Sequence, residues 1–524
     1  MTTDRPGDDE KTTAHGSAAL GSTALGSTAL GSTADKSDAR ESATHEPLEA
    51  AMRQHWPGGL PVGAGWVETA GTTDVIFPYD GSTVAAAPLG TPEHARPALD
   101  EALAAAPAMA ALPSHARRTA LMAAHDAVAA NREEFERLLV LETGKPLVDC
   151  RVEVARTLVT LATAAEEVAR LHGETVPLDL LPAGEGLIGF WTRRPVGVVV
   201  GITGFNYPLL LAAHKIAPAV AAGCPVIVKP APATPLATLW LVHLLRSSGV
   251  LPPAAVQLVT GDVEVGRTLV EDRRIGAVSF TGSAAAGHAI ARSAAPTKVL
   301  LELGSNAALI VAADADLEAA ADAVVRGGYY ASGQACIAVQ RVLVEEPVRE
   351  EFLSLLADRV KGVTTGDPRL PGTRVAPLID EAATARVLEW IDASGAEVVT
   401  GGHRDGRAIA PTVLSGVPDG AAAWDEEIFG PVVCVRPVPG LDDAFAAVNR
   451  SRYGLHASVF TRSLATAFAA IERIDAGGVV VNEVPGFRAD NMPYGGVKDS
   501  GIGREGPRFA IEELTVTKMA IIRP

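Results

Sequence analysis

Apolar and polar positions follow two rhythms along this chain. From about Glu93 to Leu171 the spacing is helical and rich in Ala and Leu, with an interruption near Thr143-Gly144-Lys145-Pro146. The rhythm then changes to short apolar runs rich in β-branched residues: Gly197–Ile202, Pro225–Val228, Val256–Val259 and Ala277–Phe280. Helix-length segments separate these runs, which predicts a parallel, doubly wound sheet. A second alternation of this kind runs from Leu309 to about Val481. Ahead of both, Val75–Ala85 predicts two short strands around the Asp80-Gly81 turn, and order is expected to begin near Trp66. The expectation is an α/β protein of two lobes with its reactive residues at their junction.

Residues 1–50 stand apart. Gly-Ser-Thr-Ala-Leu recurs with period five between Gly16 and Ala34, flanked by charged and Ser/Thr-rich sequence. Such a tract has too little bulky apolar surface to offset the entropy of ordering it, so a disordered tail is expected.

Composition narrows the function. A chain of 524 residues with 48% apolar and 20% charged residues can bury a large core. The net charge of −17 and the lack of a Lys/Arg cluster argue against nucleic acid as a partner. The longest apolar stretches, such as Leu209 to Val228, are broken by His214, Lys215, Pro218 and Pro225, so no membrane span is expected. The cysteines Cys150, Cys224, Cys336 and Cys434 form no C-x-x-C pair, which argues against a metal site or disulfide framework. With no apolar signal segment near the start, a cytoplasmic location is expected.

Two segments carry the chemistry: Leu301-Glu302-Leu303-Gly304-Ser305-Asn306 and Ser332-Gly333-Gln334-Ala335-Cys336-Ile337-Ala338. A thiol nucleophile and a carboxylate able to activate water suffice to form and hydrolyse a thioester. Each has a plainer reading: Cys336 as a small buried hydrophobe, Glu302 as a salt-bridged carboxylate. Asn206, in Thr203-Gly204-Phe205-Asn206-Tyr207-Pro208, is either an oxyanion donor or a helix N-cap. Phe280-Thr281-Gly282-Ser283-Ala284-Ala285-Ala286-Gly287 reads as strand, glycine turn and helix, whose N-terminus suits a pyrophosphate. Lys229 ends another strand, as a ligand contact or a surface lysine. Glu426-Glu427-Ile428-Phe429-Gly430-Pro431 sets a carboxylate beside an aromatic before a turn.

Taken together and in this order, these motifs closely resemble the aldehyde dehydrogenase superfamily, from about Trp66 to the C-terminus. The C-terminal segment looks most like members acting on lactaldehyde, phosphonoacetaldehyde or glyceraldehyde 3-phosphate. The resemblance implies NAD- or NADP-dependent oxidation of an aldehyde to the acid. It implies Cys336 as nucleophile, Glu302 as general base and Asn206 as oxyanion donor. Lys229, Gly282, Ser283, Gly287, Glu427 and Phe429 would then hold the cofactor. It also implies a cofactor-binding domain (51–174 and 195–302), a catalytic domain (303–480), a substrate-mouth segment (481–507) and an oligomerisation element (175–194 and 508–524) of a homodimer or homotetramer.

Three positions depart from the family pattern. Ser305 replaces the second glycine of the usual Glu-Leu-Gly-Gly. Pro232 stands where NAD-preferring members often carry a ribose-binding glutamate, so NAD and NADP both stay open. In the mouth segment, Phe487 and Tyr494 are expected as funnel walls, and Arg488 is expected either to pair with an anionic substrate or to form a structural salt bridge to Asp490 or a neighbouring loop. A short polar or anionic aldehyde is the expected substrate. Glu302 argues against acyl transfer to coenzyme A, and the intact motif set against a fold kept only for binding.

Overall fold

The computed structural model describes residues 58–524; the tail expected over residues 1–50 lies outside them. Order starts earlier than expected from sequence: Leu60 and Val62 are buried in the core, and Leu60 bridges Val67 ahead of the first hairpin. That hairpin pairs Thr72–Ile76 with Thr83–Pro88, and Gly81 takes a positive φ in the connecting turn.

The expected helical stretch is four helices: Pro92–Ala111, Ser114–Ala130, Arg132–Thr143 and Leu147–Glu167. Only the break at Gly144, left-handed at φ 70°, was marked by a glycine motif. The breaks at Leu112-Pro113 and Asn131 fall inside continuous apolar spacing and were not anticipated.

The first α/β sheet has six strands in the spatial order Gly501–Ile502, Lys298–Glu302, Ala277–Thr281, Val199–Ile202, Val226–Lys229 and Val256–Leu258. The last five are mutually parallel, and Gly501–Ile502 closes one edge antiparallel to Lys298–Glu302. Strand order reverses between Val199–Ile202 and Ala277–Thr281, so the crevice at their carboxyl ends is the expected ligand position in an open α/β sheet. Ile202 lies opposite both Lys229 and Phe280, and Thr281 opposite Glu302, so these strand ends share one edge. The helix Pro208–Ala222 is buried along its whole length and ends at the left-handed Gly223, which explains why its sequence reads as an unbroken apolar run.

A second sheet of seven strands runs Glu397–Thr400, Thr412–Ser415, Val432–Val438, Arg341–Glu345, Ala308–Val311, His456–Phe460 and Gly478–Val481. All neighbours are parallel except the first pair. A separate ribbon pairs Ile188–Pro195 with Thr515–Ile522, antiparallel and in register from Ile188↔Ile522 to Pro195↔Thr515. No helix among the described residues is long and apolar enough to cross a membrane.

Candidate active site

The turn before Cys336 is backbone held against its preference. Ala331, Ser332 and Gly333 all take positive φ, at 48°, 56° and 73°. Asp149 accepts the N–H of Ala331, Ser332 Oγ accepts that of Ala376, and Gln334 Oε1 accepts that of Ile379. A Cβ on Gly333 would meet the carbonyl of Gly430 at 2.0 Å, so only glycine fits there. This pinned turn delivers Cys336, the only cysteine that is not fully buried. Cys150, Cys224 and Cys434 are buried, and each thiol donates to a backbone carbonyl.

Cys336, Glu302 and Asn206 come from three remote segments and line one cavity of about 210 Å³, together with Thr281, Gly282, Ser283, Glu427 and Phe429. Asn206 does not cap the following helix: Tyr207 holds that position, and the Asn206 amide donates to the Gln334 carbonyl at 2.9 Å, beside the cysteine turn. Glu302 is buried with Oε2 unpartnered, so the salt-bridge reading does not hold. Burial, reinforced by the carboxylate of Glu505, pushes its pKa well above the carboxylate range. Burial likewise pushes the Cys336 thiol up to about 12, opposed chiefly by its contact with Tyr494.

Residues 66–520 match the aldehyde dehydrogenase family profile. The chain belongs to the aldehyde dehydrogenase family. It is 38% identical to 3-sulfolactaldehyde dehydrogenase of Priestia megaterium over 88% of this chain and 98% of that protein. It is 39% identical to aspartate-semialdehyde dehydrogenase 1 of Pseudomonas canavaninivorans, over 86% and 96% respectively. Among solved structures, aldehyde dehydrogenase 21 from Physcomitrella patens, in complex with the reaction product succinate, superposes with a TM-score of 0.87 at 37% identity, covering 89% of this chain and 98% of that one. The glyceraldehyde-3-phosphate dehydrogenase GapN from Methanocaldococcus jannaschii, complexed with NADP, gives 0.83 at 34% identity, covering 86% and 99%. The protein is an NAD(P)-dependent aldehyde dehydrogenase.

In this aldehyde dehydrogenase the residues expected from sequence to hold the cofactor are placed by strand ends, turns and one helix start. A Cβ on Gly282 would lie 2.6 Å from the Phe280 ring, so the turn stays bare, and Ser283 caps the helix Ala284–Ala294 through the Ala286 N–H. The first helical turn carries only alanines, and beyond the capped Ala286 the N–H groups of Ala284 and Ala285 suit a pyrophosphate. Gly287 lies within that helix, where a Cβ would strike Leu303 at 2.3 Å, so its role is close packing. Lys229 is buried rather than on the surface, and burial lowers its ammonium to about 8. Glu427 accepts the N–H of Ser305 at 2.8 Å, and burial raises it to about 7. Ser305 thus supplies the backbone contact at the position where it departs from the family pattern. Phe429, at φ 53°, meets Phe205 edge-on at 5.7 Å.

Behind Cys336 lies a buried ionic cluster that sequence reading missed. Glu505 receives Lys215 at 2.5 Å, His214 at 3.1 Å and Arg488 at 3.2 Å. Despite its burial, Lys215 and His214 hold the Glu505 carboxyl well below its usual range. Asp490 receives Arg156 through two hydrogen bonds, of 2.7 and 3.2 Å. Arg488, expected to face a substrate anion or to bridge to Asp490 or a neighbouring loop, forms the structural bridges, to Glu505 and, at 3.9 Å, to Asp490, with its side chain 7% exposed. Its guanidinium lies over the Tyr494 ring, 3.8 Å from the centroid. Tyr494 is buried with its hydroxyl on Cys336, whereas Phe487 is 51% exposed. One available signal was the adjacent pair His214-Lys215, inside an otherwise apolar helix.

A second missed pair lies under Asn206. Lys145 bonds Glu153, and its ammonium also donates to the Asn206 carbonyl at 2.8 Å and sits over the Tyr207 ring. Glu153 in turn accepts the N–H groups of Leu209 and Leu210 at the start of the next helix.

Proposed function

We propose that this enzyme oxidises a short polar or anionic aldehyde to its carboxylic acid through a thioester on Cys336. What supports this most is that Cys336, Glu302 and Asn206 line one cavity with Gly282, Ser283, Glu427 and Phe429, four of the residues assigned to the cofactor. The Cys336 thiolate attacks the aldehyde carbon, and the Asn206 amide and the Cys336 backbone N–H receive the oxygen as it gains charge. Bound nicotinamide supplies the acceptor for the hydride. Loss of hydride leaves the acyl group as a thioester. Glu302, once deprotonated, takes a proton from water, whose oxygen attacks the acyl carbon and frees the acid and the thiol. Lys229 and Glu427 would hold the ribose groups of the cofactor, Gly282 and Ser283 its pyrophosphate, and Phe429 its nicotinamide ring.

Two observations favour an anionic aldehyde. The relatives named above act on sulfonated or carboxylated aldehydes. Around Asp490 and Glu505 the cations Arg156, Arg488 and Lys215 outnumber the carboxylates, giving the region behind Cys336 a positive balance. Arg488 contributes through that field, since its guanidinium is already paired.

We also infer that the ribbon of Ile188–Pro195 and Thr515–Ile522, which exposes Ile188, Met519 and Ile521, joins copies of the chain into a homodimer or homotetramer. The four unpaired cysteines fit a reducing, cytoplasmic setting.

The test is reduced-nicotinamide absorbance with NAD and NADP, each against neutral, hydroxylated, carboxylated, sulfonated and phosphorylated aldehydes, with Cys336→Ala as control. Turnover favouring the anionic members and lost in the control is expected. Equal rates for neutral aldehydes would remove the substrate class, and dependence on coenzyme A would remove hydrolysis.

A further inference from the structure

The Tyr494 hydroxyl lies 3.2 Å from Cys336 Sγ, the only side-chain hydrogen bond to that sulfur among the described residues. A funnel wall needs only a ring here, and phenylalanine would serve as well. Resting on the reading of Cys336 as nucleophile, we propose that the Tyr494 hydroxyl is a catalytic hydrogen-bond donor to the sulfur, and that Arg488, stacked on its ring, is the positioning residue that holds it there.

Direction follows from the chemistry. In the resting thiol either partner can donate. When Cys336 gives up its proton, the sulfur becomes an acceptor only, and Tyr494 must be the donor. Tyr494 keeps its proton, because burial pushes its phenol well above the usual range. A charge-assisted O–H bond to sulfur stabilises the thiolate and leaves the thiol nearly untouched. Other groups around the sulfur oppose ionisation: the Glu427 and Glu302 carboxyls raise the thiol, and the Tyr330 phenol lies near it. Arg488 is the cation that favours the thiolate.

The ring is fixed from several sides. Arg488 covers one face, and its other commitments, Glu505 at 3.2 Å and Asp490 at 3.9 Å, keep the guanidinium plane in place. His456 meets the ring edge-on at 5.1 Å, and burial keeps that imidazole neutral, with its Nδ1 bonded to the Pro485 carbonyl. Arg156 lies further out, committed to Asp490. The tyrosine backbone is tied by reciprocal hydrogen bonds between Tyr494 and Glu505. The same short segment therefore fixes the phenol, its covering cation and the counter-ion of that cation.

The test is the pH dependence of iodoacetamide alkylation of the full-length enzyme without cofactor, with Cys336→Ser defining background labelling. Tyr494→Phe is expected to raise the alkylation midpoint by about one pH unit, slowing labelling about tenfold at a fixed pH below it. Its thermal midpoint should stay close to that of the parent. Arg488→Lys keeps the charge toward Glu505 but loses the planar stack, and is expected to raise the midpoint by less. An unchanged midpoint in Tyr494→Phe overturns the donor role, and an unchanged one in Arg488→Lys overturns the positioning role. Turnover retained by Cys336→Ser would instead overturn the nucleophile assignment on which both rest.

Discussion

Gly304 occupies a position where any side chain would collide with Glu427: a Cβ there would lie 2.6 Å from the carboxylate Oε2. The next residue, Ser305, donates its N–H to the other oxygen at 2.8 Å. The turn after Glu302 therefore orients a carboxylate more than a hundred residues away. Gly304→Ala should push Glu427 out of place, weakening cofactor binding roughly tenfold or more while lowering stability by only about 1–3 kcal/mol. Fluorescence titration with NAD and NADP, beside a thermal melt, checks both parts.

Cofactor affinity should depend on pH with a maximum near neutrality. Glu427, raised to about 7, ionises and accepts ribose hydroxyls only as pH rises through that value. Lys229, lowered to about 8, loses its charge as pH rises through that one. Binding should tighten from acid pH toward 7 and weaken again above 8. Titrations across this range check the shape. In Glu427→Gln the acid limb should flatten while the alkaline limb stays.

Glu302 gives a prediction of the opposite kind. Its raised pKa means that the carboxyl holds its proton beyond the usual carboxylate range and the base form grows as pH rises, so hydrolysis of the thioester should speed up with pH. Glu302→Gln should cut steady-state turnover by about 10²–10⁴-fold while leaving the first turnover largely intact. Rapid mixing should then show a burst of reduced cofactor equal to the enzyme present. A linear trace without a burst would place the loss before the thioester.

The Lys145–Glu153 pair is buried and carries the Asn206 carbonyl as well as the start of the helix Pro208–Ala222. Glu153→Gln leaves the ammonium without its counter-charge, which should lower stability by about 3–5 kcal/mol. The thermal midpoint reads that loss. In enzyme that remains folded, kcat should fall more than KM changes, because Asn206 acts on charge that develops during reaction.

What sequence made legible was whatever a local motif carries. Asn206, Gly282, Ser283, Glu302, Cys336, Glu427 and Phe429 each sit beside a turn that their neighbours specify, and all of them line one cavity. The parallel strands were equally visible, since a strand covered on both faces is apolar throughout. Pairings between distant segments left no such trace. Lys215 with Glu505, Arg156 with Asp490 and Lys145 with Glu153 are matches of charge across the fold, and no spacing within either segment announces the partner. Arg488 shows the difference well. Its charge was evident, but its neighbour Glu505 decides where the guanidinium points. The helix breaks at Leu112-Pro113 and Asn131 were hidden for a related reason: the buried face stays apolar while the axis turns.

The segment from Tyr494 to Ile522 supplies the hydroxyl on Cys336, the carboxylate that receives Lys215, the edge strand against Glu302 and half of the outer ribbon. During synthesis these parts leave the ribosome after everything they complete. A nascent chain therefore carries an unfinished thiol environment until this segment docks.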